Sequence, residues 1–67
     1  MKFETYAHNL AKIRTAKEIS AYELSLRIGK DVSYIYKVES GKINISLKAM
    51  IAISEVLDTP LTDFFKE

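Results

Sequence analysis

The sequence predicts an all-α fold of five short helices, packed as one compact domain over residues 1–67. Three observations lead to this prediction: apolar residues recur at helical spacing, capping residues precede the apolar segments, and no segment is convincing as a strand. With 67 residues and 48% hydrophobic side chains, the chain is long enough to form one small core.

The first two helices are predicted from an apolar stripe and a capping motif. The first spans roughly residues 2–16. Its stripe consists of Phe3, Tyr6, Leu10 and Ile13. Ser20 and Glu23 then fit a capping box, in which each side chain satisfies a free amide at the start of a second helix. Gly29 ends that helix, because glycine adopts the left-handed conformation at little cost.

Three further helices are expected from the same signals. Asp31 is the N-cap candidate for a helix over about residues 32–40, which Gly41 ends. Ser46 caps a fourth helix, and Thr59-Pro60 opens a short fifth one. The predicted inward residues of these helices are Ile35, Val38, Leu47, Met50, Ile53, Ser54, Leu57, Leu61, Phe64 and Phe65.

The second and third helices must cross at a steep angle. Only three residues, at positions 29–31, separate them, and this link is too short for an antiparallel pair. Ser25 fits such a crossing, because its small side chain lets the helices approach closely. One helix would then support the other, which projects outward.

Charge is unevenly distributed along the chain, although the net charge is only +1. Residues 1–48 hold nine basic and five acidic side chains, a balance of +4, whereas residues 49–67 hold one basic and four acidic side chains, a balance of −3. This division predicts a basic face for an anionic partner and an acidic end directed away from it. An ordinary solvated surface is the alternative that charge alone leaves open.

Composition argues against several other classes of protein. Cysteine is absent, so neither a disulfide nor a thiolate metal site braces the core. The apolar runs are far shorter than the ~20 residues that span a bilayer, and the chain does not open with a secretory signal, so we expect a cytoplasmic protein without a membrane partner. His8 is the single histidine, and no serine has a histidine and an acid at a suggestive spacing. We expect no enzyme, cofactor, metal or small-molecule substrate.

The segments at residues 19–25 (ISAYELS), 28–29 (IG), 33–35 (SYI), 38–42 (VESGK), 46–47 (SL) and 61–65 (LTDFF) together carry a family resemblance. The chain resembles the Cro-and-repressor-type helix-turn-helix domains, or XRE family, which includes phage repressors and restriction–modification controller proteins. The resemblance covers about residues 6–65. It implies a lambda-repressor-like fold with the helix-turn-helix at helices 2 and 3. It also implies a sequence-specific transcriptional regulator, bacterial or phage, that occupies a DNA operator as a repressor does.

The resemblance also assigns roles to individual residues, with the third helix in the major groove. It places Val32, Ser33, Tyr36 and Lys37 against base edges. It places Ser20, Tyr34, Lys42 and Asn44 on phosphates. Arg14 and Glu39 are matched to a partly buried ion pair, for which the alternative is two separate solvated charges.

Four positions depart from the family pattern. Many members have glutamine at the position of Ala21, an apolar residue at Lys30, a helix-ending glycine at Glu18 and a charged residue at Leu26. Ala21, Val32 and the net charge of only +1 leave open a second function, a protein-interaction module, antitoxin-like or regulator-binding, that keeps the fold but reads DNA weakly.

Surplus apolar residues in the C-terminal part predict a homodimer. They are Ile43, Ile45, Ile51, Ala52 and Val56. A monomer that exposed all of them would carry an unusually large apolar patch. A dimer on a roughly palindromic operator is the expected working form, because one small module buries little DNA surface.

Overall fold

The structure, a computed structural model, describes residues 2–67; Met1, which the predicted domain includes, lies outside this range. Four α-helices follow one another: α1 (Phe3–Ala16), α2 (Ala21–Arg27), α3 (Tyr34–Glu39) and α4 (Leu47–Val56). The fifth element, Leu61–Phe65, is a terminal 3-10 helix. Residues 2–67 contain no strand, so the all-α prediction is confirmed, with a 3-10 helix in place of a fifth α-helix.

The core takes side chains from all five elements. Each of these side chains is at most 1% exposed. They are Tyr6, Leu10, Leu24, Ile35, Val38, Ile53, Leu57 and Phe64. Tyr6 stacks on Phe64 with ring centroids 5.4 Å apart, which joins α1 to the terminal 3-10 helix. Since burying one such side chain contributes roughly 1.5–3 kcal/mol, these contacts hold the helices together without a disulfide.

All four α-helices end in the same hydrogen-bonding pattern. In each, the second residue beyond the C-cap donates its amide to the carbonyl five residues earlier, over 2.9–3.2 Å. The residue between the C-cap and this donor has positive φ, as in a Schellman motif. The positive-φ residues are Glu18 (60°), Gly29 (74°), Gly41 (77°) and Asp58 (49°). The predicted left-handed conformation of Gly29 is therefore present.

The third helix begins later than predicted. Val32 and Ser33 lie in a turn, and α3 starts at Tyr34. The reason is local: the Asp31 carboxylate accepts hydrogen bonds from the amide and the hydroxyl of Ser33, while the Tyr34 amide donates to the Asp31 carbonyl at 2.9 Å. These bonds close a tight turn before the helix, so the prediction of a helix over residues 32–40 was too long at its start.

Two details of side-chain placement also differ from expectation. Ser20 caps α2 by accepting from the Glu23 amide at 3.0 Å, but the Glu23 carboxylate pairs with Arg27 rather than returning to Ser20. Only half of the capping box is therefore formed. Leu47, predicted to face inward, is 63% exposed, whereas Ala49 is buried. Two residues rotate a helix by about 200°, so the face that buries Ala49 and Ile53 directs Leu47 outward.

Candidate nucleic-acid interface

The buried Ser25 hydroxyl joins α2 to the start of α3. It donates to the Ala21 carbonyl at 2.8 Å and accepts from the Ile35 amide at 2.9 Å. The Ile35 amide is in the first turn of α3, where it has no partner within its own helix. Sequence reasoning used only the small size of Ser25 and missed this bond. A serine next to Leu24 in the buried face of a helix was the signal that could have revealed it.

The link between α2 and α3 lies on the surface, and its polar side chains contact one another and the start of α3. Asp31 is exposed, and the hydrogen bond from the Ser33 hydroxyl, followed by the one from the Ser33 amide, lowers the pKa of its carboxyl. Lys30 Nζ lies 5.3 Å from the centroid of the Tyr34 ring, a cation–π distance. Lys30, at a position where family members usually have an apolar residue, therefore has an aromatic partner on the surface.

The four residues predicted to contact bases lie on the link and on α3. Val32 is 41% exposed, Tyr36 is 60% exposed and Lys37 is also exposed, whereas Ser33 is partly buried. Val32 and Ser33 precede α3, and Tyr36 and Lys37 follow about one helical turn later. All four therefore remain accessible to a ligand, and the first pair projects from a turn rather than from the helix.

The four residues predicted to contact phosphates differ more from one another in exposure. Ser20 is exposed at the start of α2, and its hydroxyl accepts a hydrogen bond, so its own hydrogen remains available. Lys42 and Asn44 are exposed beyond the end of α3, and Lys42 Nζ lies 5.7 Å from the Tyr36 ring centroid. Tyr34 instead packs against the core, and burial raises the pKa of its hydroxyl.

Arg14 and Glu39 form a two-point ion pair that fixes α3 to α1. Arg14 Nε donates to Glu39 Oε2 at 2.7 Å and Nη2 donates to Oε1 at 3.1 Å, with the side chains 17% and 15% exposed. Arg14 Nη1 also donates to the Ile19 carbonyl at 2.9 Å, a contact that sequence reasoning missed. The hydrogen bonding to Glu39 raises the pKa of Arg14. One side chain thus connects the end of α1, the approach to α2 and the end of α3.

Comparison with known proteins decides the family. The model of the helix-turn-helix family, of XRE type, matches residues 10–64. The chain belongs to this family. Among solved structures, it is similar to the restriction-modification controller protein C.AhdI from Aeromonas hydrophila, with a TM-score of 0.86 and 32% identity over 94% of this chain and 96% of that one. It is also similar to the hypothetical transcription factor NHTF from Neisseria, with a TM-score of 0.88 and 25% identity over 96% of this chain and 74% of that one. A search of curated proteins finds no match.

In this helix-turn-helix chain, few of the surplus apolar residues of the C-terminal part are exposed. Ile43, Ile45 and Val56 pack against the core. Ile51 remains 44% exposed, and with Leu47 at 63% it forms an apolar pair four residues apart on one face of α4. The apolar patch predicted from sequence is therefore smaller and shifted toward the start of α4.

A second exposed apolar pair lies on the outer face of α2. Tyr22 is 60% exposed and Leu26 is 51% exposed, again four residues apart. Because Leu24 and Ser25 form the buried side of α2, the two exposed residues face away from the core. Leu26 was already unusual for the family on sequence grounds, and the structure places it at the surface.

None of the helices within residues 2–67 has the length and apolar character required to cross a membrane. His8 is exposed on α1, and residues 2–67 contain no group of three or more histidines and acids that could hold a metal ion.

Proposed function

We propose that this chain is a sequence-specific DNA-binding transcriptional regulator of the lambda-repressor-like type that occupies a roughly palindromic operator as a homodimer. The observation that carries the proposal is the exposed surface of residues 31–33 and α3. The Ser25–Ile35 bond holds this surface at its start and the Arg14–Glu39 pair holds it at its end. Membership of the helix-turn-helix family and the similarity to a restriction-modification controller protein support this function.

Base reading is assigned to the accessible residues of this surface. Val32 offers only methyl groups, which suit the methyl group of thymine. Lys37 donates hydrogen bonds and suits the O6 and N7 acceptors of guanine, and Tyr36 lies beside it with its ring exposed. Ser33, at the start of the surface, completes the set.

Phosphate contacts are assigned to the residues that flank the reading surface. Ser20 retains a hydroxyl hydrogen at the amino end of α2, and amides at a helix start favour an anion. Lys42 and Asn44 lie beyond the end of α3, where a side chain reaches a phosphate rather than a base edge. Tyr34 is partly buried, and its hydroxyl is the group that would donate to a phosphate. These contacts fix orientation without reading sequence.

The small size of the module and the apolar pair on α4 support a homodimer. One such module covers a single half-site, and a twofold dimer presents two reading surfaces to a palindrome. Leu47 and Ile51 supply an exposed apolar patch for the contact between subunits. Sedimentation at tens of micromolar tests this: a dimer is expected, and a strict monomer both free and on DNA would contradict it.

A comparison of Val32→Ala with Lys42→Ala tests the assignment of reading and positioning. Val32→Ala should weaken the best site by roughly 1–3 kcal/mol and relax the preference at one or two base pairs, because it removes methyl contacts and no charge. Lys42→Ala should weaken binding to all sequences alike and lower the slope of log K against log salt by about one. Selection from random DNA and anisotropy titrations at several salt concentrations provide the data. Unchanged preference in Val32→Ala with altered preference in Lys42→Ala would contradict the proposed orientation.

The exposed pair of Tyr22 and Leu26 favours a second candidate function, a protein-interaction module. Salt dependence separates the two functions, since DNA binding must weaken steeply with salt and an apolar protein contact does not. A chain that binds mixed genomic DNA with no salt slope would favour the protein-interaction module.

A further inference from the structure

The turn before α3 directs the hydrogen of the Ser33 hydroxyl to the exposed carboxylate of Asp31. Asp31 Oδ2 accepts from the Ser33 hydroxyl at 2.5 Å and from the Ser33 amide at 3.0 Å. An ionised carboxylate has no hydrogen to give, so the hydroxyl is the donor in this pair. Since a serine hydroxyl has one hydrogen, Ser33 retains only lone pairs for any other partner.

Asp31 is ionised at neutral pH. The hydrogen bond from the Ser33 hydroxyl is the largest cause of its lowered pKa, followed by that from the Ser33 amide, and the positive charge of Lys37 acts in the same direction. The Lys37 amide donates to the Ser33 carbonyl at 3.0 Å, so Lys37 lies one helical turn beyond Ser33. Asp31 and Ser33 therefore form an acceptor-only group beside a lysine donor.

We propose that Asp31 is a specificity-determining residue that, by holding the one hydrogen of the Ser33 hydroxyl, makes Ser33 an acceptor for the amino group of adenine or cytosine. This inference rests on the proposed function, because it takes residues 32–40 to face the major groove. In that groove the donors are adenine N6 and cytosine N4, whereas guanine N7 and O6 and thymine O4 are acceptors. Guanine and thymine at this position would meet the Ser33 lone pairs without a hydrogen between them.

The negative charge of Asp31 has a cost for DNA binding that does not depend on sequence. An exposed carboxylate close to DNA opposes the phosphates, so it lowers affinity for every sequence by a similar factor. Its compensating effect is the penalty on the wrong base, since an unpaired acceptor facing another acceptor loses its hydrogen bond to water. A free serine hydroxyl would rotate to donate or accept and would give little preference.

The experiment selects random DNA with the full chain and with Asp31→Ala, Asp31→Asn and Ser33→Ala. The unmodified chain should prefer adenine or cytosine over guanine and thymine about tenfold at one position per half-site, the low end expected of a single good base contact. Asp31→Ala and Ser33→Ala should both reduce that preference to threefold or less. Asp31→Asn is the matched control, because its amide oxygen still accepts the hydroxyl while the charge is gone. It should bind all DNA more tightly and keep the preference.

Three results would overturn the inference, and they differ from failure of the proposed function. A change in Asp31→Ala that is uniform across sequences would make Asp31 only a turn-forming charge. Equal loss of preference in Asp31→Asn and Asp31→Ala would assign the effect to charge. A guanine preference that Ser33→Ala removes would show that Ser33 donates. Binding of no DNA by any variant would overturn the proposed function as well. A pH titration followed by NMR checks the Ser33–Asp31 hydrogen bond in the free protein. The chemical shift of the Ser33 amide proton should change as Asp31 is protonated.

Discussion

The helix-turn-helix segment, residues 20–42, and α1 solve the same structural problems with different residues. Both helices of the segment end at a glycine with φ of 74° or 77°, whereas α1 ends at Glu18 with φ of 60°. The buried hydroxyl of Ser25 has two partners in the segment, whereas the buried hydroxyl of Tyr6 in α1 has none within residues 2–67. The segment therefore has glycine at both of its left-handed positions and partners for its buried hydroxyl. In α1 and the turn that ends it, neither condition is met.

The supporting helix α1, and not the helix-turn-helix segment, carries the backbone strain and the unpaired buried hydroxyl. A non-glycine residue in the left-handed region costs roughly 1–2 kcal/mol, and a buried unpaired hydroxyl costs about 1–3 kcal/mol. Arg14 offsets part of this in α1, because its guanidinium donates to the Ile19 carbonyl immediately after Glu18. The surface proposed to read DNA is thus built on an unstrained segment, while the supporting helix is stabilised by one arginine.

Removal of Arg14 should give the largest effect. Arg14→Met leaves Glu39 with 15% exposure and no partner, and it also removes the bond to Ile19, so we expect a loss of about 3 kcal/mol of unfolding free energy. Adding Glu39→Leu should recover part of that loss, because no unpaired charge then remains. Urea unfolding measures both variants.

Arg27→Met is the matched control for Arg14→Met. Arg27 pairs with Glu23 at 2.6 Å, but the two side chains are 51% and 46% exposed. Exposed pairs of this kind contribute about 0.3–0.5 kcal/mol, so the change should be small. Additive losses in the cycle of Arg14 and Glu39 would show that their contact does not stabilise the fold.

Substitution of a glycine in the segment should give the next largest effect. A Cβ at Gly41 or at Gly29 would meet no atom within 4 Å, so Gly41→Ala and Gly29→Ala test the backbone alone. We expect each to lose about 1–2 kcal/mol through the left-handed conformation. Thermal unfolding provides the measurement. A loss far above this range at Gly41 would mean that the space next to it closes in solution.

The reverse substitution in α1 should stabilise the protein by a smaller amount. Glu18→Gly relieves the positive φ but adds freedom to the unfolded chain, so the net gain should be about 0.5–1 kcal/mol. Asp58→Gly at the end of α4 is the control and should gain less, because aspartate tolerates the left-handed region better than glutamate. A loss of stability in Glu18→Gly would remove the contrast between α1 and the segment.

Much of the fold could be predicted from the sequence, because capping and periodicity act locally. Ser20 and Ser46 cap the helices that follow them, and Gly29 and Gly41 end two helices as expected. The late start of α3 was missed because the Asp31 carboxylate accepts from the Ser33 amide in a turn. Helix-capping rules predict a helix from such a bond and do not distinguish it from a turn. The outward Leu47 was missed because an apolar residue at the first position of a helix fits more than one stripe.

The candidate site was less accessible to sequence reasoning. The residues named as base and phosphate contacts came from a family pattern, and their exposure depends on how α2 and α3 cross. The direction of each hydrogen bond at Asp31 and Ser25 depends on side-chain geometry that spacing does not specify. The contact of Arg14 with Ile19 joins two segments through one guanidinium, which only the folded chain shows.

Tyr6→Phe should give a gain at neutral pH no larger than that of Glu18→Gly, and a distinct effect at high pH. Burial, and secondarily the nearby Tyr34, raise the pKa of the Tyr6 hydroxyl above its ordinary value of about 10. The folded state therefore holds this proton more tightly than the unfolded state. Its stabilising contribution is complete below pH ~10 and is lost as the pH rises toward the folded pKa.

Tyr6→Phe removes an unpaired buried hydroxyl, so it should gain up to about 1 kcal/mol at pH 7 and flatten the alkaline loss. Urea unfolding at pH 7 and above pH 10 measures both. Equal alkaline loss in the two proteins would show that another group titrates.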